Sequence, residues 1–114
     1  MFRTLIVTLT LIGVATLSSA HSKSEATTPA DGATVTDVAE LVMRFDDPMR
    51  IIAVTLSTLD GEIDIERETG MEPVTLFRAL PTAPLLPGVY RMDWRGMASD
   101  GHPMQGGFSF TVAE

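Results

Sequence analysis

Four stretches of this chain alternate apolar and polar side chains one residue at a time, and that alternation restricts the possible folds more than any other property. Leu41, Met43 and Phe45 share one face, with Val42 and Arg44 on the other; Ile52, Val54 and Leu56 alternate with Ala53, Thr55 and Ser57. Tyr90, Met92 and Trp94 alternate with Arg91, Asp93 and Arg95, and Phe108, Phe110 and Val112 with Ser109 and Thr111. A period of two belongs to a strand with one face in a core. Weaker windows run from Ser24 to Thr28, Glu62 to Glu66 and Val74 to Ala79. Turn-forming residues separate them: Pro29-Ala30-Asp31-Gly32, Asp46-Asp47-Pro48, Asp60-Gly61, Pro87-Gly88 and Asp100-Gly101. No stretch carries a capped helical repeat. Some seven short strands in about a hundred residues predict an all-β antiparallel sandwich. Trp94, the only tryptophan, is expected in its core beside Tyr90 and Met92.

Residues 1–20 read as a cleavable export leader. Arg3 supplies the positive start, Leu5 to Leu17 is apolar apart from threonines and one glycine, and Ser18-Ser19-Ala20 puts small residues at the cut. That stretch is shorter than the roughly 20 residues a membrane span needs. The mature chain, residues 21–114, is therefore expected to be exported, outside the membrane, and long enough for one domain but not two. Without cysteine it has no disulfide framework, no thiolate metal site and no cysteine nucleophile. Losing Arg3 takes the formal charge from −7 to −8, which argues against nucleic acid as a partner. Glu62, Asp64, Glu66 and Glu68 recur at every second position and read as the charged, solvated face of an edge strand.

Cleavage after Ala20 would make His21 the first residue, and an α-amine with an imidazole on one residue chelates a metal through two nitrogens. The only other histidine is His102, in Asp100-Gly101-His102-Pro103, between two strong strand windows. The glycine permits a turn that brings the Asp100 carboxylate to the His102 ring. The amine and Nδ1 of His21, a His102 nitrogen and an Asp100 oxygen would make a set suited to Cu(II), which prefers tetragonal N/O coordination and leads the divalent series in affinity. The alternative is that both histidines are ordinary loop residues on a metal-free, immunoglobulin-like interaction module. A histidine chelate of this kind also resembles the copper centre of polysaccharide monooxygenases, but a carboxylate from Asp100 would fill the position oxygen needs. Ser99 and His102 on one turn do not form a nucleophile–base chain.

Pro29-Ala30-Asp31-Gly32-Ala33, Leu41 to Pro48, Gly88 to Arg95 and Ser99-Asp100-Gly101-His102-Pro103 leading to Gly107 through Val112 together resemble the CopC family of periplasmic copper-binding proteins. The resemblance runs over essentially the whole mature chain. It implies a seven-stranded Greek-key β-sandwich or barrel of cupredoxin or immunoglobulin type. It also implies one Cu(II) ion held by His21, Asp100 and His102, in a non-enzymatic carrier or buffer for copper homeostasis or resistance. Members often carry a glutamate where Asp47 stands, near the metal as a hydrogen-bond acceptor. Asp47 is one methylene shorter. A CopD-like inner-membrane copper transporter is the partner implied. Some members hold Cu(I) in a methionine-rich loop; here Met43, Met49, Met71, Met92, Met97 and Met104 form no closely spaced run, so no Cu(I) methionine site is expected. Met43 and Met92 read as core fillers.

Overall fold

Three of the four strong alternating windows turn their whole apolar side onto a common core; in the window from Ile52 to Leu56 a register slip after Ile51 buries Ile51 and Leu56 and leaves Ile52 39% exposed. A computed structural model describes residues 26–114, all strand and connection with no helix among them. The leader and His21 lie outside the described residues. Eight strands follow in order: β1 (Ala26–Thr28), β2 (Ala33–Val35), β3 (Leu41–Thr58), β4 (Gly61–Ile63), β5 (Ile65–Arg67), β6 (Val74–Pro81), β7 (Gly88–Ala98) and β8 (Pro103–Val112). The first half of β3 lies between β1 and β6, with β5 beyond β6. Its second half lies between β4 and β7, followed by β8 and then β2, which runs parallel to β8. One long strand thus belongs to both layers of the all-β sandwich.

Two alternating windows therefore belong to a single strand. The sequence reading expects Asp46-Asp47-Pro48 to be a turn that separates them; in the structure it is the corner at which β3 changes layers. Arg44 pairs with Leu76 and Met49 with Val74, so β3 spends three more residues than β6 over this stretch. A bulge of that kind bends a strand and tolerates Pro48, whose missing N–H removes no ladder bond there. The weak Glu62 to Glu66 window divides the other way. Asp64 separates β4, paired with β3, from β5, paired with β6. All four carboxylates of the stripe are exposed, as expected.

The core collects the apolar faces of both layers: Leu41, Met43, Phe45 and Phe77 from one, and Leu56, Tyr90, Met92, Trp94, Phe108 and Phe110 from the other. Trp94 is 4% exposed, as its position in the alternation predicts, and Phe45 meets it edge to face with ring centres 5.2 Å apart. Tyr90 stacks on Phe110 at 5.3 Å, and its hydroxyl donates to the Leu86 carbonyl at 2.6 Å, so burying the phenol leaves no polar atom without a partner. Met43 and Met92 are fully buried, in keeping with their reading as fillers. The short strand β2 gives no alternating signal of its own. It is fixed by its flanks: Ser109 N–H donates to Asp31 Oδ1 at 2.9 Å and Gly32 N–H to the Ser109 carbonyl at 2.7 Å.

Candidate metal site

At one end of the sandwich, β7 and β8 are joined by Ser99-Asp100-Gly101-His102. Gly101 N–H donates to the Ala98 carbonyl and Ala98 N–H to the His102 carbonyl, both at 2.9 Å. Gly101 has φ +88°, the left-handed conformation that closes a tight hairpin and that a side chain would oppose. The turn brings Asp100 and His102 together as the sequence predicts. Asp100 Oδ1 accepts the His102 backbone N–H at 3.1 Å, and Oδ2 lies 2.7 Å from His102 Nδ1.

These contacts hold the Asp100 carboxyl below its ordinary range, first through the His102 backbone N–H and then through the imidazole. Both side chains are open to water, His102 at 77% and Asp100 at 63% exposure, so their pairing adds little to stability. Its consequence is orientation. With Nδ1–H donated to the carboxylate, Nε2 is left as the lone-pair donor facing outward, the arrangement in which a carboxylate fixes the tautomer of a metal-ligating histidine.

The hairpin forms the rim of a cleft of about 1170 Å³. Asp47 lines it from the β3 corner and Asp100 and His102 from the hairpin, with Met49, Ile52 and Arg95 among the other walls. Three of the four positions singled out in the sequence thus share one cleft. The fourth, His21, lies outside the described residues. Among those residues, no group of three or more His, Cys, Asp or Glu side chains is already close enough to enclose a metal. The hairpin contributes an aromatic nitrogen and carboxylate oxygens, a borderline-to-hard set that fits Cu(II) but is incomplete alone. Nothing in the sequence marks Arg95 and Ile52 as part of the site. They reach it because β3 and β7 run side by side there, a pairing with no local signal.

A CopC domain model matches residues 24–113. The chain is 29% identical over 122 residues to copper resistance protein C of Pseudomonas syringae pv. tomato, covering 96% of both chains. It is 30% identical over 129 residues to copper resistance protein C of Xanthomonas campestris pv. juglandis, covering 97% of both. Two crystal structures share the fold: PcoC, a methionine-rich copper resistance protein from Escherichia coli, with TM-score 0.65, 24% identity and coverage of 82% of this chain and 99% of that one, and CopC from Methylosinus trichosporium OB3b, with TM-score 0.67, 20% identity and coverage of 82% and 94%. Matched from its first described strand through the Asp-Gly-His hairpin to its last, this chain belongs to the CopC family.

Proposed function

We propose that the protein binds one Cu(II) ion at the hairpin end of the sandwich and serves as a periplasmic carrier or buffer in copper resistance. The ligands in this reading are the amine and Nδ1 of His21, a nitrogen of His102 and an oxygen of Asp100, which must leave its present contact with Nδ1 if the ion sits on Nε2, with Asp47 as a hydrogen-bond acceptor beside them. The observation that carries it is the Asp100–His102 pair, exposed at the cleft and oriented with one ring nitrogen free. The names of the relatives, copper resistance proteins of three bacteria, support copper as the ion.

The direction of β1 supports a contribution from the mature terminus. Ala26 pairs with Arg44 and Thr28 with Val42, so β1 has its first residue at the end nearer Asp46–Pro48 and the cleft. Five extended residues span up to about 16–18 Å, and His21 at the end of that span is the proposed partner of the hairpin. Export would then act as a gate, since in the uncut precursor the His21 nitrogen is an amide. The reading favours carriage over oxidation of a glycan. Every described Phe, Tyr and Trp ring is buried, which leaves no flat aromatic face for a polysaccharide among the described residues. No described helix is long and apolar enough to cross a membrane, and a CopD-like transporter in the inner membrane is the proposed partner.

The test begins with mass spectrometry of the exported protein to fix the first residue. Competitive Cu(II) titration then compares that form with one carrying a single extra residue ahead of His21. A nitrogen-rich tetragonal spectrum and a severe loss of affinity on extension are expected. A chain that starts elsewhere, or full affinity with the extension, refutes the chelate.

A further inference from the structure

Away from the cleft, β8 has an open edge at the Gly106–Gly107 step. Ser109 turns its N–H and C=O away from β7, toward Asp31 and Gly32. The β7–β8 register runs unbroken from Pro103 to Val112, so the backbone groups of Pro103, Gln105 and Gly107 face the same way. β2 covers only Phe110 to Val112, and no described strand lies beside residues 103–108. Pro103 has no N–H to leave idle there, whereas Gln105 and Gly107 present both backbone groups to a partner. Charge, proline or a bulge blunts most natural edges. The β4 and β5 edges carry Glu62 and Glu66, but Met104 to Phe108 carries none of these devices.

Two side-chain donors without partners among the described residues flank the same step. Trp94 pairs with Gly106, and a Cβ on that glycine would stand 2.9 Å from the indole Nε1, so the nitrogen lies over the glycine on the core side. Trp94 is 4% exposed, yet no described residue accepts from Nε1; it is not sealed from water, and β8 beside it is the edge of the sheet. On the outer side, Arg91 Nη2 would stand 2.8 Å from a Cβ on Gly107, while Arg91 Nε holds Asp93 at 3.0 Å. A recess of about 350 Å³ opens at this step. The register sets Arg50, Arg91 and Arg95 on the outer face, with Asp93 as the one carboxylate among residues 50–57, 91–97 and 105–111. That face is positive on a chain of formal charge −7.

We propose that this edge takes up an acidic, extended segment of another protein as an added antiparallel strand. Gln105 and Gly107 each exchange a pair of backbone hydrogen bonds with it. The segment's residue opposite Gly106 accepts from the Trp94 indole through a short polar side chain. Its neighbour opposite Gly107 sets a carboxylate against Arg91 Nη2, in the space that the missing Cβ leaves. The positive face selects acidic segments over neutral ones. A second copy fits less well, because two-fold pairing about Gly106 would set indole donor against indole donor.

The test uses the exported chain without metal and the acetylated, amidated peptide Thr-Val-Glu-Thr-Thr-Val-Thr, which sets Glu opposite Gly107 and Thr opposite Gly106. Trp94 is the only tryptophan, so its emission and its indole N–H resonance report this edge directly. Saturable binding should move that resonance downfield and slow amide exchange at Gln105 and Gly107 at least about tenfold. Gln in place of Glu should weaken the peptide about three- to tenfold. Pro in place of the residue opposite Gln105 should weaken it at least about tenfold. Gln105→Pro removes an outward N–H that no strand of this chain uses, so the fold should stand while affinity falls about tenfold. Arg91→Gln should weaken the Glu peptide about as much as the Glu-to-Gln change does, roughly three- to tenfold, and leave the Gln peptide unchanged. No binding, or equal binding by the Pro peptide or by Gln105→Pro, overturns the proposal. So does a dimer of the chain that alone protects Gln105 and Gly107, or an emission shift given by phosphatidylglycerol vesicles and not by the peptide.

Discussion

His102 and Asp100 differ in what each would lose. His102 supplies the stronger equatorial donor, whereas both Asp100 oxygens already engage His102, one through its backbone N–H and one through its ring. Removing a carboxylate that orients a ligating histidine costs about 10–100-fold in metal affinity. Asp100→Ala is therefore expected to weaken Cu(II) by about tenfold, and His102→Ala by at least a further factor of about ten, measured by competition with a chromophoric chelator. The same hydrogen bonds set a pH dependence. The Asp100 carboxyl is held below its ordinary 3.8, so its contribution to folding is fully present above that value and disappears as pH falls through the lowered one. In the metal-free protein, the His102 amide resonance should accordingly stay constant through the ordinary carboxylate range and move only in stronger acid. Asp100→Asn should abolish that acid-limb movement.

At the scale of the element, the hairpin and the close passage of β3 by β7 hold the cleft in shape, and glycine is required in both. A side chain at Gly101 would meet no neighbour, but the φ of +88° opposes it, so Gly101→Val should cost about 1–2 kcal/mol and loosen the Asp100–His102 pair. At Gly96 the backbone conformation is ordinary and space is the constraint. A Cβ there would stand 2.4 Å from the Arg50 carbonyl oxygen, forcing β7 away from β3 beneath the cleft. Gly96→Ala should destabilise by about 1–3 kcal/mol in denaturant unfolding, with Cu(II) affinity falling as the wall shifts. The Asp-Gly-His hairpin was legible in the sequence because everything that makes it is local: an aspartate that accepts from a backbone two residues on, a glycine, and strands on either side. The β3 corner was not. Asp46-Asp47-Pro48 has the composition of a turn, and only the demand that both flanking windows join separate layers keeps it within one strand. β2 escaped for a similar reason, since its parallel pairing depends on residues more than seventy positions away.

For the molecule as a whole, one side chain closes the seam where the two layers part. Between Met49, the last β3 residue paired with β6, and Leu56, the first paired with β4, that edge of β3 has no strand beside it. Arg67, at the end of β5, fills the gap. It donates to the Ile51 carbonyl at 2.7 Å and the Ile52 carbonyl at 3.4 Å, and to Thr69 and Gly70 at 3.2 and 2.9 Å, with its guanidinium 5.1 Å from the Phe77 ring centre. The carbonyls it serves flank the second irregularity in β3, where the register against β7 slips between Ile51 and Ala53. A strand bulge leaves acceptors without ladder partners, and a charged donor with a fixed fork satisfies several at once. Arg67→Met keeps much of the stem against Phe77 but removes every one of these donors. Hydrogen bonds to charged groups contribute about 1.5–3 kcal/mol each and are not additive here, so a total near 3 kcal/mol is expected. For a domain of this length that lowers Tm by about 10–20 °C. Lysine retains the charge and can serve one or two of the four carbonyls, so Arg67→Lys should recover only part of the loss. Cu(II) affinity measured well below Tm should change by less than about threefold in either variant, because Arg67 touches neither the hairpin nor Asp47. A Tm loss of only a few degrees in Arg67→Met would show that the layers are held together by their shared core alone.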